Sequence, residues 1–133
     1  MDNNELTLYK QAKKKTPIYN FVLSMPFIYG MIFPSILLDI TVEIYHNVAF
    51  RLYGIPLLKR SDYIIIDRHL LSKLTFMQKI NCIYCGYVNG LYRYAADIAG
   101  ETEKYWCPIK HGKDGYIEKQ PHHKEFYDRK DFE

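Results

Sequence analysis

The chain has 133 residues, enough for one domain with an attached hydrophobic segment and too few for two independent cores. Its 18 basic and 15 acidic residues leave a formal charge of +3, too nearly balanced to demand a polyanionic partner, so a nucleic-acid role is disfavoured. The 13 tyrosines point to surfaces part apolar and part wet, and the three cysteines, an odd number, exclude a complete set of intrachain disulfides and suit a reducing compartment.

A basic N-terminal segment, residues 1–15, ends in Lys13, Lys14 and Lys15. From Thr16 to Leu38 the chain carries no charge, and 23 helical residues at about 1.5 Å each would cross a bilayer core of about 30 Å. Pro26, Gly30 and Pro34 predict a bent or broken helix in place of a plain span. Arg51, Lys59 and Arg60 make the far flank basic as well, so charge bias assigns no orientation to a single crossing. The expectation is a hydrophobic helical hairpin over residues 16–56, bent at Pro34, with one arm over 17–33 and a second running from Pro34 to about Tyr53. It would re-enter or lie on a membrane with both ends in the cytosol. A buried helix pair in a soluble cytoplasmic protein is the alternative. A secretory signal is disfavoured, because the run is long, broken by proline and followed by no small-residue cleavage site.

Within the second arm, Asp39, Glu43 and His46 share a helical face opposite Leu37, Ile40, Ile44 and Val48. Glu43-x-x-His46 is also a metal-binding spacing of di-iron bundles, but no second copy exists, and a solvated or ion-paired face is the simpler expectation. Gly54 and Pro56 close this region.

Residues 57–111 are expected to form a small helical metal-binding unit with at most one short strand, Tyr63-Ile64-Ile65-Ile66, giving a mainly α fold. Asp67-Arg68-His69 suits a helix start with a surface ion pair, or a polar site. Thr75-x-x-Gln78 is a capping box that predicts a helix start. Asn81 to Gly86 is expected to interrupt that helix, with Gly86 at positive φ, and a second helix over Tyr87 to Lys104 would turn Leu91, Tyr94, Ala95 and Ile98 to one face.

The candidate metal ligands are Cys82, Cys85, Cys107 and His111: a Cys-x2-Cys pincer and a Cys-x3-His pincer separated by about one helix's length of chain. Two such pincers of soft ligands suit tetrahedral zinc in a closed, structural site, with Trp106 and Pro108 shielding sulfur and Lys110 offsetting its charge. An iron–sulfur cluster on the same ligands is the alternative cofactor. Covalent haem is excluded because Gly86 stands where histidine is required, and a thioredoxin-like dithiol lacks its βαβ frame.

The strings Asp67-Arg68-His69, Asn81-Cys-x-Tyr-Cys-Gly-Tyr-x-Asn-Gly-Leu91 and Thr102-Glu-x-Tyr-Trp-Cys-Pro-Ile-Lys-His111 together resemble an uncharacterised family of small bacterial proteins, over roughly residues 20 to 111. The resemblance implies bacterial origin and an intact motif, and it implies no activity.

Residues 112–133 form a charged tail that cannot order itself alone. His122 and His123 are expected in solvent, with Phe126, Tyr127 and Phe132 available for docking. The functional expectation is a zinc protein of the bacterial inner membrane, its metal half facing the cytoplasm, with a binding or assembly role and a membrane or protein partner. The competing expectation is a redox or hydrolytic enzyme using an iron–sulfur cluster, or using Asp39, Glu43, His46, Asp67 and His69 as a polar site; the sequence leaves its small-molecule substrate unassigned.

Overall fold

The computed structural model describes residues 14–133, so of the basic segment 1–15 only Lys14 and Lys15 are described. The fold is mainly helical: α1 (Ile18–Gly30), α2 (Ile32–Tyr53) and α3 (Phe76–Trp106), with short 3-10 turns at Arg60–Asp62, Arg68–Leu70, Pro121–Glu125 and Arg129–Asp131. Among the described residues the one piece of β pairing is an isolated bridge, Ile109 to Tyr127. Residues 63–66 form no strand. The chain divides into two units at Leu38/Asp39, where the uncharged stretch meets its first charge.

In the first unit, Pro26 lies inside α1 and deprives the carbonyl four residues before it of the usual helical partner. The helix nevertheless continues to Gly30. The interruption is at Met31, three residues before the expected bend at Pro34, and its dihedrals, φ −65° and ψ −11°, stay right-handed. The two arms therefore follow one another as a long bent helix. Pro34 sits in the first turn of α2, where a missing N–H costs no helical bond.

The second unit opens with the rest of α2, which ends where Gly54, at φ +69°, adopts a left-handed conformation that a Cβ would disfavour. The N–H of Ile55 bonds back to the carbonyl of Phe50 at 2.9 Å, and Pro56 prevents resumption of the helix. The chain then returns along α3. Side-chain pairs Asp39–Tyr87, His46–Tyr94 and Tyr53–Tyr105 show that α2 and α3 run in the same direction, so residues 55–70 must travel the opposite way between their starts and ends.

This return explains the glycines of α3. The capping box is as expected, with Thr75 accepting from the Gln78 N–H and Gln78 from the Thr75 N–H, but the helix then runs unbroken for 31 residues. Gly86 and Gly90 have helical backbones, and positive φ occurs at Gly54 and Gly115 instead. They are one turn apart on the face that the return segment crosses: a Cβ at Gly90 would come within 2.5 Å of the Tyr63 carbonyl oxygen, and one at Gly86 within 2.9 Å of that of Ile65. Each glycine costs about 1 kcal/mol of helix propensity, offset by the close approach it allows. The core beside them is small: Phe50, Tyr94 and Ile98, flanked by Val42, Ile55, Leu58 and Tyr63. Leu91, Tyr94 and Ile98 are buried on one face, as their spacing predicts.

Two outcomes follow. Gly90→Ala should cost about 1–3 kcal/mol of stability in denaturant melts, because the obstacle is backbone and cannot rotate away. Burial first, and then the Asp97 carboxylate, pushes Tyr63 up to about 12; burial and Asp39 do the same to Tyr87, and burial and Glu43 to Tyr94. The stability these phenols give is therefore fully present below pH 10 and lost as pH rises through about 12, so absorbance at 295 nm should show a late tyrosine titration that coincides with unfolding.

Candidate functional site

The four expected metal ligands do not converge within one chain. Cys82 and Cys85 lie on α3, and Cys107 caps its far end, so at 1.5 Å per residue Cys85 and Cys107 are about 33 Å apart along a continuous helix. Thiolates on a common zinc, with bonds of about 2.3 Å, sit within about 4 Å of one another. The helix that Gly86 fails to break thus keeps the Cys82–Cys85 pincer apart from Cys107, and the structure does not bring the four expected ligands, Cys82, Cys85, Cys107 and His111, together. All three cysteines are free.

The polar set of α2 is brought together, but it is consumed by structure. Arg60, from the return segment, bonds both oxygens of Asp39, through Nη1 and, at 2.7 Å, through Nη2, and reaches Glu43 Oε1 at 3.0 Å. Hydrogen bonding to Asp39 outweighs burial and holds the guanidinium even more firmly protonated than usual. Tyr87 donates to Asp39 at 2.6 Å. His46 is buried and receives the Leu58 N–H on Nε2 at 3.0 Å, which fixes its proton on Nδ1, facing the Tyr94 hydroxyl at 3.0 Å. Asp67 and His69 take no part in this network. The 3-10 turn Arg68–Leu70 packs on α3, and His69 Nδ1 is buried without a hydrogen-bond partner among the described residues.

A different ligand set assembles where the tail meets the end of α3. The tail docks through a buried Phe126 and two backbone bonds, Lys110 N–H to the Tyr127 carbonyl at 2.9 Å and Tyr127 N–H to that of Pro108 at 2.8 Å. Ion pairs Lys104–Glu125 and Lys110–Asp128 flank it. The 3-10 turn then aims His122 Nε2 and His123 Nε2 at the same oxygen, Glu103 Oε2, at 3.0 and 3.1 Å. Gly100 leaves room for the His122 ring, whose atoms would be 3.3 Å from a Cβ. His123 is fully buried, whereas solvent was the expected place for both histidines. His123 Nδ1 meets the Tyr116 hydroxyl at 3.2 Å, which also accepts the His111 N–H at 3.0 Å, and the His111 ring stacks on His123 at 5.0 Å. Burial alone would push the Glu103 carboxyl up, but hydrogen bonds from His122 and His123 outweigh it and hold the group below the usual glutamate range.

Among the described residues this is the one trio of His, Cys, Asp or Glu with donor atoms all within 4.8 Å of one another. Half of the expected motif borders it: Cys107 and His111 line a cavity with Glu103 of about 430 Å³. The sequence signal was available in two adjacent histidines spaced for neither helix nor strand, and it needed the glycine at position 100 to be read as space for a ring. Comparison with models of known families, with curated proteins and with solved structures finds no match to this chain.

Replacing Arg60 by methionine strands two inward carboxylates and should cost about 2 kcal/mol, near the lower range for charged hydrogen bonds because the groups keep partial solvent access. In a double-variant cycle with Asp39→Asn, the combined loss should be well below the sum of the single losses.

Proposed function

We propose that this chain is a membrane-associated protein whose second unit faces the cytosol and serves binding or assembly. The observation that carries the reading is the inverted polarity of α2. Its inward face holds Asp39, Glu43 and His46 beside the core residues Val42 and Phe50, while Ile40, Ile44, Val48 and Leu52, one turn apart, are turned outward and more than half exposed. A water-soluble surface helix has the opposite arrangement. Lipid is the medium that rewards an apolar exterior over polar groups already satisfied by Arg60, Tyr87, Tyr94 and a backbone amide.

The preceding stretch supports the same medium. The helical run Ile18–Tyr53 is long and apolar enough to cross a membrane, and 6 % of its most apolar window is buried inside the chain, where a soluble core helix would be mostly covered. A removable signal sequence fits poorly, because the run continues into the helix that supplies Phe50 and His46 to the core. Three free thiols favour a reducing, cytosolic side. Catalysis by the Asp39, Glu43 and His46 set is the weaker reading, since each group is already committed to a structural partner.

Carbonate-washed membranes should retain the chain, and full recovery in the soluble fraction would contradict the reading. The chain's single tryptophan gives a finer measurement. Trp106 is 64 % exposed and packs edge-on to Tyr53, next to Leu52 at the end of the apolar stripe. Its emission should shift to the blue on addition of phospholipid vesicles, and Ile44→Asp with Val48→Asp should weaken vesicle partitioning by at least about tenfold, or about 1.4 kcal/mol. An unchanged spectrum in the presence of bound vesicles would detach α2 from the lipid surface.

A further inference from the structure

We infer that Glu103, His122 and His123 form a divalent-cation site of zinc type, which fastens the tail to the end of α3. This goes beyond the membrane reading and stands independently of it.

The donor atoms have the right chemistry and nearly the right spacing. A tetrahedral cation with bonds of about 2.0 Å to nitrogen and oxygen separates its ligands by about 3.3 Å. Glu103 Oε2 lies 3.0 Å from one Nε2 and 3.1 Å from the other, and the three donor atoms all lie within 4.8 Å of one another, so a small side-chain adjustment admits the ion. Two imidazoles and a carboxylate form a borderline set that suits Zn²⁺ and offers too few oxygens for Ca²⁺ or Mg²⁺.

The surroundings hold the ligands for that task. A metal-bound imidazole directs its other nitrogen to an acceptor, and His123 Nδ1 faces the Tyr116 hydroxyl. When that hydroxyl accepts the Nδ1 proton, Nε2 is left bare for the cation. Tyr116 is itself held by the His111 N–H, so the second pincer of the sequence motif contributes through its backbone. His123 is fully buried, while Glu103 and His122 remain about one-third exposed, which gives the ion an entry path and leaves the fourth position to water.

The competing account is a pair of imidazoles donating to one carboxylate with no ion. The experiment separates the two with zinc chloride as probe. Chelator-stripped full-length protein in mild detergent is dialysed against zinc in a Cys82→Ser, Cys85→Ser background, so that the distant thiols cannot contribute. About one zinc per chain is expected. Glu103→Gln, which keeps shape and polarity, and His122→Gln, which is partly exposed, should each weaken binding more than about 100-fold, with helical circular dichroism unchanged. Tyr116→Phe should weaken it about 10- to 100-fold, as loss of an outer partner does. Cobalt substituted at the site should show no thiolate charge-transfer band, and zinc should protect the tail from trypsin at Lys113 and Lys119. Equal zinc binding by the Glu103→Gln and His122→Gln variants, absence of binding by the folded background protein, or a thiolate band in the cobalt form would overturn the site.

Discussion

The bridge from Arg60 to Asp39 and Glu43 is the constraint on which the second unit depends. α2 carries carboxylates on the face it turns inward, and buried carboxylates without partners are costly. Arg60 supplies both of them at once, and Leu58, two residues earlier, supplies the amide that satisfies His46. The return segment thus has to lie in one register along α2. The same register lays Tyr63 and Ile65 across the glycines of α3. Polar pairing on one helix and absence of side chain on the other therefore specify one path for a segment that forms no regular structure.

That pairing also decides what faces outward. Once the polar residues of α2 are occupied, its other face, from Ile40 to Leu52, has no cover among the described residues of the second unit and presents a continuous apolar stripe. Scattered exposed hydrophobic residues need no explanation, whereas a contiguous stripe that extends an uncharged helix does. At the end of the stripe Tyr53 stacks on Tyr105 at 4.9 Å with Trp106 edge-on to both, a group that in the proposed membrane setting would lie at the boundary between acyl chains and water.

What the residues disclosed in advance was local. The helical character of the two arms, the Thr75 capping box and the buried face of Leu91, Tyr94 and Ile98 rest on caps and periodicity within a few turns and are as read, though the bend expected at Pro34 falls at Met31. The break expected at Asn81 to Gly86 came from the same local logic and is absent, because glycines at positions 86 and 90 answer to a backbone more than 20 residues away in sequence. Cys82 and Cys85 show the limit most plainly. A spacing of three is shared by metal pincers and by neighbours one turn apart on a helix, and only the unbroken helix distinguishes them. Adjacent His122 and His123 misled for the converse reason: in a 3-10 turn tied down by Phe126, neighbours can converge on one atom.

The energetics of the tail give its ligand cluster a purpose. Ordering each residue costs about 1–2 kcal/mol of backbone entropy, and the charged segment after His111 buries little apolar surface beyond Phe126 to oppose that. The two exposed ion pairs add little, since solvent screens them and holding two long side chains in place costs entropy. Hydrogen bonds to a carboxylate held below the usual glutamate range help while Glu103 stays ionised and fail as pH falls below that range. A cation shared by Glu103, His122 and His123 changes the balance, because its binding free energy becomes available only when helix end and tail are together. In the proposed site, docking of the tail to the end of α3 would then be tied to the supply of metal.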